Sequence, residues 1–300
     1  MAQLDNRSGR RLVAGIPLVW LLLFFLIPFL IVLKISFSEV RLAMPPFAPL
    51  FEWVNGLPKP KLHLGSYAFL FTDPLYISSY LYSIKVALVS TLCCLLIGYP
   101  MAYAIARASS TWRNVLLMLV ILPFWTSFLL RVYAWIGLLK NNGVINNVLL
   151  YLGVIHQPLS MLQSDFAVYI GIVYSYLPFM ILPLYANLEK HDNTLLEAAA
   201  DLGANPVTAF FRITLPQSVP GIMAGSLLVF IPAVGEYVVP SLLGRTDQLM
   251  IGRVLSDEFF QNRDWPVASA VAILILLVLV VPMMLFQRFQ RRELETEASK

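Results

Sequence analysis

The chain has 300 residues, of which 59% are hydrophobic and 13% are charged, and its formal net charge is +4. Its mean hydropathy of +0.75 excludes a water-soluble domain, because such a domain needs far more polar surface. The basic residues cluster at the ends of apolar segments rather than along one face, so they indicate membrane orientation and not nucleic-acid binding. We therefore expect an all-α integral membrane protein.

Six apolar segments follow one another along the chain, and a helix needs about 20 apolar residues to cross the hydrocarbon core. No separate soluble domain is expected, so the sequence predicts one transmembrane domain over residues 1–300. The first segment is longer than the apolar part of a signal peptide and lacks a cleavage site, so we expect it to be retained. The predicted spans are 12–36, 80–105, 114–138, 166–188, 218–243 and 267–287.

Basic residues predict the orientation of these spans. An even number of spans places both termini on one side, and the positive-inside rule places that side in the cytoplasm. The basic residues on this side are Arg7, Arg10, Arg11, Arg107, Arg113, Lys190, Arg212, Arg288, Arg291 and Arg292. The opposite loops are richer in acids, namely Glu39, Glu52, Asp73, Asp247, Asp257, Glu258 and Asp264.

Residues 189–217, which we call the elbow, are far more polar than the spans on either side. Thr194 is followed three residues later by Glu197, which predicts a capping box at a helix start. Gly203 stands where a helix would end in the left-handed conformation that glycine adopts at low cost. The predicted apolar stripe of this helix is Leu195, Leu196, Ala199 and Leu202.

A second helix is predicted in the elbow, with Asn205 as N-cap, Pro206 in its first turn and Pro216 as its end. Its apolar stripe is Val207, Phe210 and Phe211. Two short helices without a core need a surface to pack against. They either fold back against the membrane and the bundle, or dock into a groove of a cytoplasmic partner.

The segment EAAADLGANPVTAFFRITLP resembles the EAA loop of ATP-binding-cassette importer permeases, whose pattern is E-A-A, three residues, G, nine residues and I-x-L-P. The matching residues are Glu197, Ala198, Ala199, Gly203, Ile213, Leu215 and Pro216. The resemblance implies a type I (MetI-like) importer bundle whose elbow forms coupling helices that sit in a cleft of a separate ATPase subunit.

No motif in the chain predicts catalysis or metal binding. A nucleotide-binding P-loop needs a Gly-Lys pair, and the sequence has none. Cys93 and Cys94 are adjacent, and His63, His156 and His191 are scattered, so neither residue type has the spacing of metal ligands. We expect no enzyme activity and no cofactor in this chain, with ATP and magnesium bound by the partner ATPase that the resemblance implies.

Three ionisable residues inside predicted spans stand out, namely Lys85, Arg131 and Glu236, and all three are expected in the outer half of the membrane. Such residues are costly in lipid unless they are paired or hydrated. Glu236 either forms an internal salt bridge with Arg131 or Lys85, or faces a water-filled cavity and contacts a cationic solute. Helical regularity around it is interrupted by Pro232, Gly235 and Pro240, as in broken helices that line cavities.

Aromatic residues could assist such a pathway through cation–π contacts with ammonium groups. Packing and interfacial aromatic belts are the alternative explanation. The candidates are Trp125, Tyr133, Trp135, Tyr174, Tyr176 and Tyr237.

Three further segments, LPFWTSFLLRVYAWIGLLKNNGVINN, FIPAVGEYVVPSLLG and IGRVLSDEFFQNRDWPVASAVAI, resemble the first permease subunit of bacterial polyamine importers, most of all the putrescine type. The resemblance covers nearly the whole chain from the first span onward, and it departs at Arg245, where the family often has glycine. It implies a permease for putrescine or spermidine in the lipid of the bacterial inner membrane. The implied partners are a second homologous permease, two ATPase subunits and a periplasmic polyamine-binding protein, with no nucleic acid.

Two other functions are compatible with the residues alone. A carrier or channel driven by an ion gradient would use the buried charges as its coupling site and the elbow as a simple connection. A membrane scaffold would have no transport role.

Overall fold

The computed structural model describes residues 7–54 and 57–298, and it is built almost entirely of helices. Helices suit apolar runs because, in lipid, each backbone N–H and C=O must be satisfied within its own segment. The first half contains α1 (Arg7–Leu21), α2 (Ile27–Ser36), α3 (Gly65–Thr72), α4 (Pro74–Arg107), α5 (Ser110–Ile121), α6 (Phe128–Leu139) and α7 (Val144–Tyr151). The second half contains α8 (Asp165–Leu188), α9 (Thr194–Asp201), α10 (Pro206–Ala209), α11 (Leu215–Gln217), α12 (Val219–Val234), α13 (Val238–Leu243), α14 (Ile251–Phe260) and α15 (Trp265–Ala298).

Three helical stretches in the described part of the chain are long and apolar enough to cross a bilayer, namely Gly15–Ser36, Pro74–Arg107 and Asp165–Leu188. They overlap the first, second and fourth predicted spans. The first stretch joins α1 to α2 through a π-helical segment at Leu22–Leu26, so the helix continues past its irregular turn. Their apolar side chains are widely exposed, as expected where lipid is the solvent.

The third predicted span, 114–138, is not one straight helix. Ser110–Trp125 and Phe128–Tyr151 meet at an angle of 90°. A 3-10 turn at Leu122–Trp125 precedes the bend and contains Pro123, which has no N–H to continue an α-helical ladder.

A second bend, of 62°, separates Pro206–Gln217 from Val219–Val234. If each bent pair counts as one span, residues 7–54 and 57–298 contain up to five spans. The sixth predicted span, 267–287, falls in α15, where the apolar stretch Trp265–Val280 is shorter than the other candidates.

The chain divides into two compact units, and the first comprises Met1–Pro74 and Leu255–Leu277. It contains a small antiparallel hairpin of β1 (Phe51–Val54) and β2 (Leu57–Pro60) that the helical prediction missed. The sequence signal for this hairpin is the Asn-Gly pair between the two strands, because this pair is typical of tight hairpin turns. The hairpin adds a short extended segment to an otherwise helical fold.

The second unit comprises Leu75–Val254 and Val278–Lys300 and is organised around α8. α8 packs against α5, α6, α12 and α13. One apolar core along it includes Ile172, and the other includes Met180, and both residues are fully buried. This central position brings Tyr176 of α8 to the interruption between α12 and α13.

Candidate functional site

The elbow forms short helices separated by a glycine, as the sequence predicts. α9 ends at Asp201, and Gly203 has a φ of +81°, in the left-handed region that favours glycine. The side-chain oxygen of Asn205 accepts the N–H of Thr208 at 2.8 Å and caps α10. The predicted glycine end and asparagine N-cap are therefore confirmed.

The predicted capping box of Thr194 and Glu197 is wrong. The residue before α9 is Asn193, and its side chain makes no capping hydrogen bond. Asp192 takes this role, because its Oδ1 accepts the N–H of Thr194 at 2.9 Å, and this bond lowers the pKa of the Asp192 carboxyl. Glu197 is exposed, so its carboxylate is not used at the helix start.

The second helix ends at Gln217, one residue beyond the predicted end at Pro216 and before the fifth predicted span. A π-helical segment, Phe210–Thr214, runs into α11, which contains Pro216, and the chain bends only at Ser218. Proline is tolerated there because its missing N–H falls in the first turn of α11. The Ser218 hydroxyl donates to the carbonyl oxygen of Thr214 at 2.6 Å, a contact that bends helices.

One side of the elbow packs against the end of α4. The ring of Phe210 meets Tyr99 and Tyr103 edge to face, with centroids 5.7 and 6.3 Å apart. The oxygens of Tyr99 and Ser218 lie 2.9 Å apart in a buried contact. Because Ser218 gives its only hydroxyl proton to Thr214, Tyr99 is the donor. The elbow therefore does fold back against the bundle, in agreement with the first alternative.

The other side of the elbow is apolar and exposed. We define its exposed apolar face as Leu195, Leu202, Val207 and Phe211. Leu202 retains 90% of its accessible surface. The two predicted stripes are thus divided, since Ala199 is buried and Phe210 half-buried, whereas Leu202 and Phe211 are exposed. Both alternatives for the elbow remain compatible with this arrangement.

The seven residues of the EAA resemblance divide in the same way. Those that are buried or half-buried are Ala199, Ile213 and Leu215. Those that are exposed are Glu197, Ala198, Gly203 and Pro216. The motif therefore combines residues that hold the elbow to the bundle with residues that another molecule could contact.

His191 lies at the beginning of the elbow, where its pKa is lowered. Burial is the main cause, the charge of Arg107 adds to it, and a hydrogen bond to the backbone of Gln217 opposes it. Since Gln217 lies at the far end of the elbow, this contact joins the two ends. The Nε2 atom of His191 is buried without a hydrogen-bond partner.

The second candidate region is the interruption at Gly235–Tyr237, which we call the Glu236 break. α12 ends at Val234 and α13 begins at Val238, as expected from the helix-breaking residues around Glu236. Only 7% of Glu236 is exposed. Its Oε1 accepts the backbone N–H groups of Tyr237, Val238 and Val239, at 3.1, 2.9 and 3.4 Å.

The carboxylate of Glu236 is therefore placed at the N-terminus of α13, where the helix dipole favours a negative charge. The hydroxyl of Tyr176 donates to its other oxygen, Oε2. Backbone amides and one phenol thus stabilise the buried charge without a cation. This arrangement can hold a carboxylate in an apolar bundle and still offer it to a positively charged group that displaces Tyr176.

Of the two alternatives for Glu236, the internal salt bridge is not found. Among the described residues, neither Arg131 nor Lys85 forms an ion pair with it. Lys85 is exposed, whereas the Arg131 guanidinium lies 5.5 Å from the ring centre of Phe124. Counting residues along helices gave similar depths for these side chains, but depth does not determine which face of a helix they occupy.

Gly252 supports the Glu236 break and was missed by the sequence analysis. A Cβ atom at this position would collide with the carbonyl oxygen of Gly235 and would lie 2.8 Å from that of Glu236. The adjacent N–H of Ile251 donates to Ser83 Oγ at 2.8 Å, which ties the start of α14 to α4. The sequence signal was the glycine at the start of an amphipathic helix.

The aromatic candidates do not converge on one place. Tyr176 contacts Glu236, but Tyr174 lies two residues earlier on α8, on the opposite face, and packs edge to face with Trp135 at 5.6 Å. Tyr237 is partly exposed beside the carboxylate. The remaining candidates, Trp125 and Tyr133, are exposed on the α5–α6 segment.

Arg245 follows Glu236 by nine residues and is paired rather than free. Its Nε and Nη2 donate to the two carboxylate oxygens of Asp247, at 2.8 and 2.5 Å. The hydrogen bonds lower the pKa of the Asp247 carboxyl and raise that of Arg245.

At the start of α8, Asp165 accepts the Tyr82 hydroxyl at 2.9 Å.

The chain is similar to known transport proteins over nearly its whole length. The spermidine/putrescine transport system permease protein PotB of Haemophilus influenzae is 39% identical over 295 residues, which cover 97% of this chain and 99% of that protein. PotB of Escherichia coli K12 is 40% identical over 272 residues, or 91% of this chain and 94% of that protein.

Solved structures with low identity match the fold. A bacterial ABC transporter that imports the acidic polysaccharide alginate gives a TM-score of 0.69 at 20% identity, covering 97% of this chain and 99% of that chain. The MetNI methionine ABC transporter gives 0.55 at 17% identity, covering 73% and 95%. A family model described as binding-protein-dependent transport system inner membrane component matches residues 94–296. The chain, a multi-pass membrane protein, belongs to this family of transport permeases.

Proposed function

We propose that this chain is the permease subunit of a polyamine importer and lets putrescine or spermidine pass from periplasm to cytoplasm across the bacterial inner membrane. The observation that carries this proposal is the similarity to Haemophilus PotB over 97% of this chain and 99% of that protein. A match of this extent includes both the elbow and the Glu236 break.

The elbow is proposed to couple the permease to a separate ATPase. Its exposed apolar face, with Leu202 at 90% exposure, is the kind of surface that a helix places in a groove of a partner. Exposed Glu197 and Gly203 would be part of the contact, and half-buried Ile213 and Leu215 would hold the elbow to the bundle. ATP and magnesium would be bound by the ATPase and not by this chain.

The Glu236 break is proposed to form part of the solute pathway. Polyamines carry ammonium groups, and Glu236 is a buried carboxylate whose hydrogen-bond partners are backbone amides and Tyr176. An ammonium group could replace the Tyr176 hydroxyl at Oε2 without disturbing the amides at Oε1. Tyr237, partly exposed beside it, would supply a cation–π contact. Alternating access would then open this break to one side of the membrane at a time.

The proposed assembly has two homologous permeases, two ATPases and a periplasmic polyamine-binding protein. Both termini and the elbow would face the cytoplasm, because basic residues gather on that side of the predicted spans. The pair of Arg245 and Asp247 would then lie on the periplasmic side. A paired arginine there adds little net positive charge to the route of a cationic solute.

Uptake by proteoliposomes tests the proposal. The chain, its second permease, the ATPase and the binding protein are reconstituted, and entry of labelled putrescine and spermidine is measured with and without ATP. We expect uptake only with ATP and only with the ATPase present. The relatives do not favour the alternative of a gradient-driven carrier. Uptake that follows an imposed ion gradient without ATP would support that alternative instead. A scaffold would give no uptake under any condition.

A further inference from the structure

A cavity of about 390 Å³ in the first compact unit takes no part in the transport mechanism proposed above. The loop that follows α2 forms one wall of it, and the turn between α14 and α15 forms the other. Arg41 comes from the loop and Arg263 from the turn, so two arginines from distant parts of the sequence line one space.

The structure shows no partner for either arginine within residues 7–54 and 57–298. Among the described residues, no hydrogen bond or ion pair involves the side chain of Arg41 or Arg263. Among the described residues, no carboxylate lines the cavity. Two nearby acids have other contacts, because Glu39 lies 3.6 Å from Lys61 and Glu258 accepts from Asn262 at 3.0 Å. Two positive charges therefore share a cavity in which no described carboxylate balances them, which favours an anion.

The cavity lies close to the ends of two apolar helices. α2 ends at Ser36, five residues before Arg41, and the apolar stretch of α15 begins at Trp265, two residues after Arg263. The ring of Trp265 stacks on Phe259 at 5.0 Å, and aromatic rings of this kind gather at membrane–water interfaces. Both arginines therefore lie within five residues of an apolar helix end, where we expect lipid headgroups.

Apolar side chains extend from the same loop. Leu42 and Met44 flank the cavity and are exposed, Leu42 to 110% of its reference area. Exposed apolar residues next to unpaired arginines match a molecule that has an anionic group and hydrocarbon chains. A soluble anion would use the arginines and leave Leu42 and Met44 in water.

We propose that this cavity binds the headgroup of an anionic phospholipid, with Arg41 and Arg263 on the phosphate and Leu42 and Met44 against the start of the acyl chains. Arginine suits this role because its planar guanidinium donates two parallel hydrogen bonds to phosphate oxygens. The site is independent of the polyamine proposal, because none of its lining residues belongs to the elbow or to the Glu236 break.

Native mass spectrometry of the full-length chain tests the site. The purified protein is titrated in detergent with phosphatidylglycerol or with phosphatidylcholine of the same acyl chains. We expect selective retention of phosphatidylglycerol, and we expect Arg41→Gln with Arg263→Gln to weaken it about 30-fold, or about 2 kcal/mol. Arg245→Gln is the matched control, because it removes an arginine that Asp247 already holds, and it should retain wild-type binding.

Three results would overturn the proposal. Equal retention of both lipids would show that no anionic headgroup is recognised. Displacement of the lipid by equimolar glycerol phosphate would assign the cavity to a soluble anion. The double variant could also bind the lipid unchanged and lose binding to the periplasmic binding protein. That result would assign the cavity to a carboxylate of the binding protein. Should the double variant fail to fold, Arg41→Gln alone, in an exposed loop, should still weaken binding about fivefold.

Discussion

The elbow and the Glu236 break interrupt apolar helices in opposite ways. The elbow caps the starts of its helices locally, through Asp192 and Asn205, and leaves apolar side chains exposed. The Glu236 break buries a charge and surrounds it with hydrogen-bond donors of the same chain. An exposed apolar face is completed by another molecule, whereas a satisfied buried charge is stable alone. In the function that we propose, the first region docks the ATPase and the second makes a reversible contact with the solute.

The largest effect is expected at Glu236, where we compare two substitutions. Glu236→Leu leaves three backbone amides and the Tyr176 hydroxyl without an acceptor, which should cost about 3 kcal/mol or more and prevent assembly. Glu236→Gln keeps one acceptor oxygen, so the protein should assemble while polyamine uptake falls at least about tenfold. Size-exclusion chromatography and uptake measurements separate the two outcomes.

Tyr176→Phe and Tyr174→Phe form a matched pair on α8. The first removes a donor to Glu236, and the second alters the opposite face. We expect the first to change uptake and the second to leave it unchanged. Normal uptake by Glu236→Gln would mean that the carboxylate only caps α13, and the contrast between the two regions would then fail.

The next effect concerns the exposed apolar face of the elbow. Leu202→Asp places a charge on a residue that touches little of its own chain, so the fold should be retained. Recovery of the ATPase in affinity purification should fall about tenfold or more, since burying an unpaired carboxylate opposes docking. Asn205→Asp is the control, because it adds the same charge to the elbow and preserves the N-cap. Full recovery of the ATPase with Leu202→Asp would exclude this face as the contact.

A smaller effect is expected at Gly203. An added Cβ would meet no atom within 4 Å, so the cost of Gly203→Ala is that of the left-handed backbone alone, about 1 kcal/mol. If docking needs the left-handed backbone at Gly203, the affinity for the ATPase should fall about fivefold. Gly153→Ala is the matched control. Gly153 is also left-handed, an added Cβ would also meet no atom within 4 Å, and the residue lies outside the elbow. Equal effects of both variants on ATPase binding would contradict the prediction.

The smallest expected effect is a pH dependence at His191. Its pKa in the folded protein is below the ordinary value of 6.5, so the stability that its neutral form contributes is present above pH 6.5. This contribution is lost as the pH falls through the lowered pKa. The thermal midpoint should therefore drop slightly more, by no more than about 2 °C, in the wild type than in His191→Gln between pH 7.5 and 5.5. Parallel pH profiles would refute this role.

Sequence patterns predicted the features that depend on residues close together in the chain. Hydropathy indicated the helical membrane fold, and Gly203 and Asn205 were placed correctly because glycine and asparagine have strong local preferences at helix ends. The bend after Pro123 was missed, since proline inside an apolar run is compatible with a continuing helix, a kink or a break.

The partners of Glu236 could not be predicted from the sequence. Its amide donors are one to three residues away, but they become available only because the helix restarts at Val238. Tyr176 is 60 residues distant, and Gly252 contacts the break only after α14 has packed. A charge in a predicted span suggests an opposite charge as its partner, whereas here helix geometry supplied the compensation.

The hydroxyl of Ser218 has a mechanical consequence. It bonds at once to Thr214 in the elbow and to Tyr99 on α4, at the bend that leads into α12. The bend is therefore tied to α4 as well as to the elbow. In the coupling that we propose, a movement of the elbow would reach α4 through this one oxygen together with the ring of Phe210.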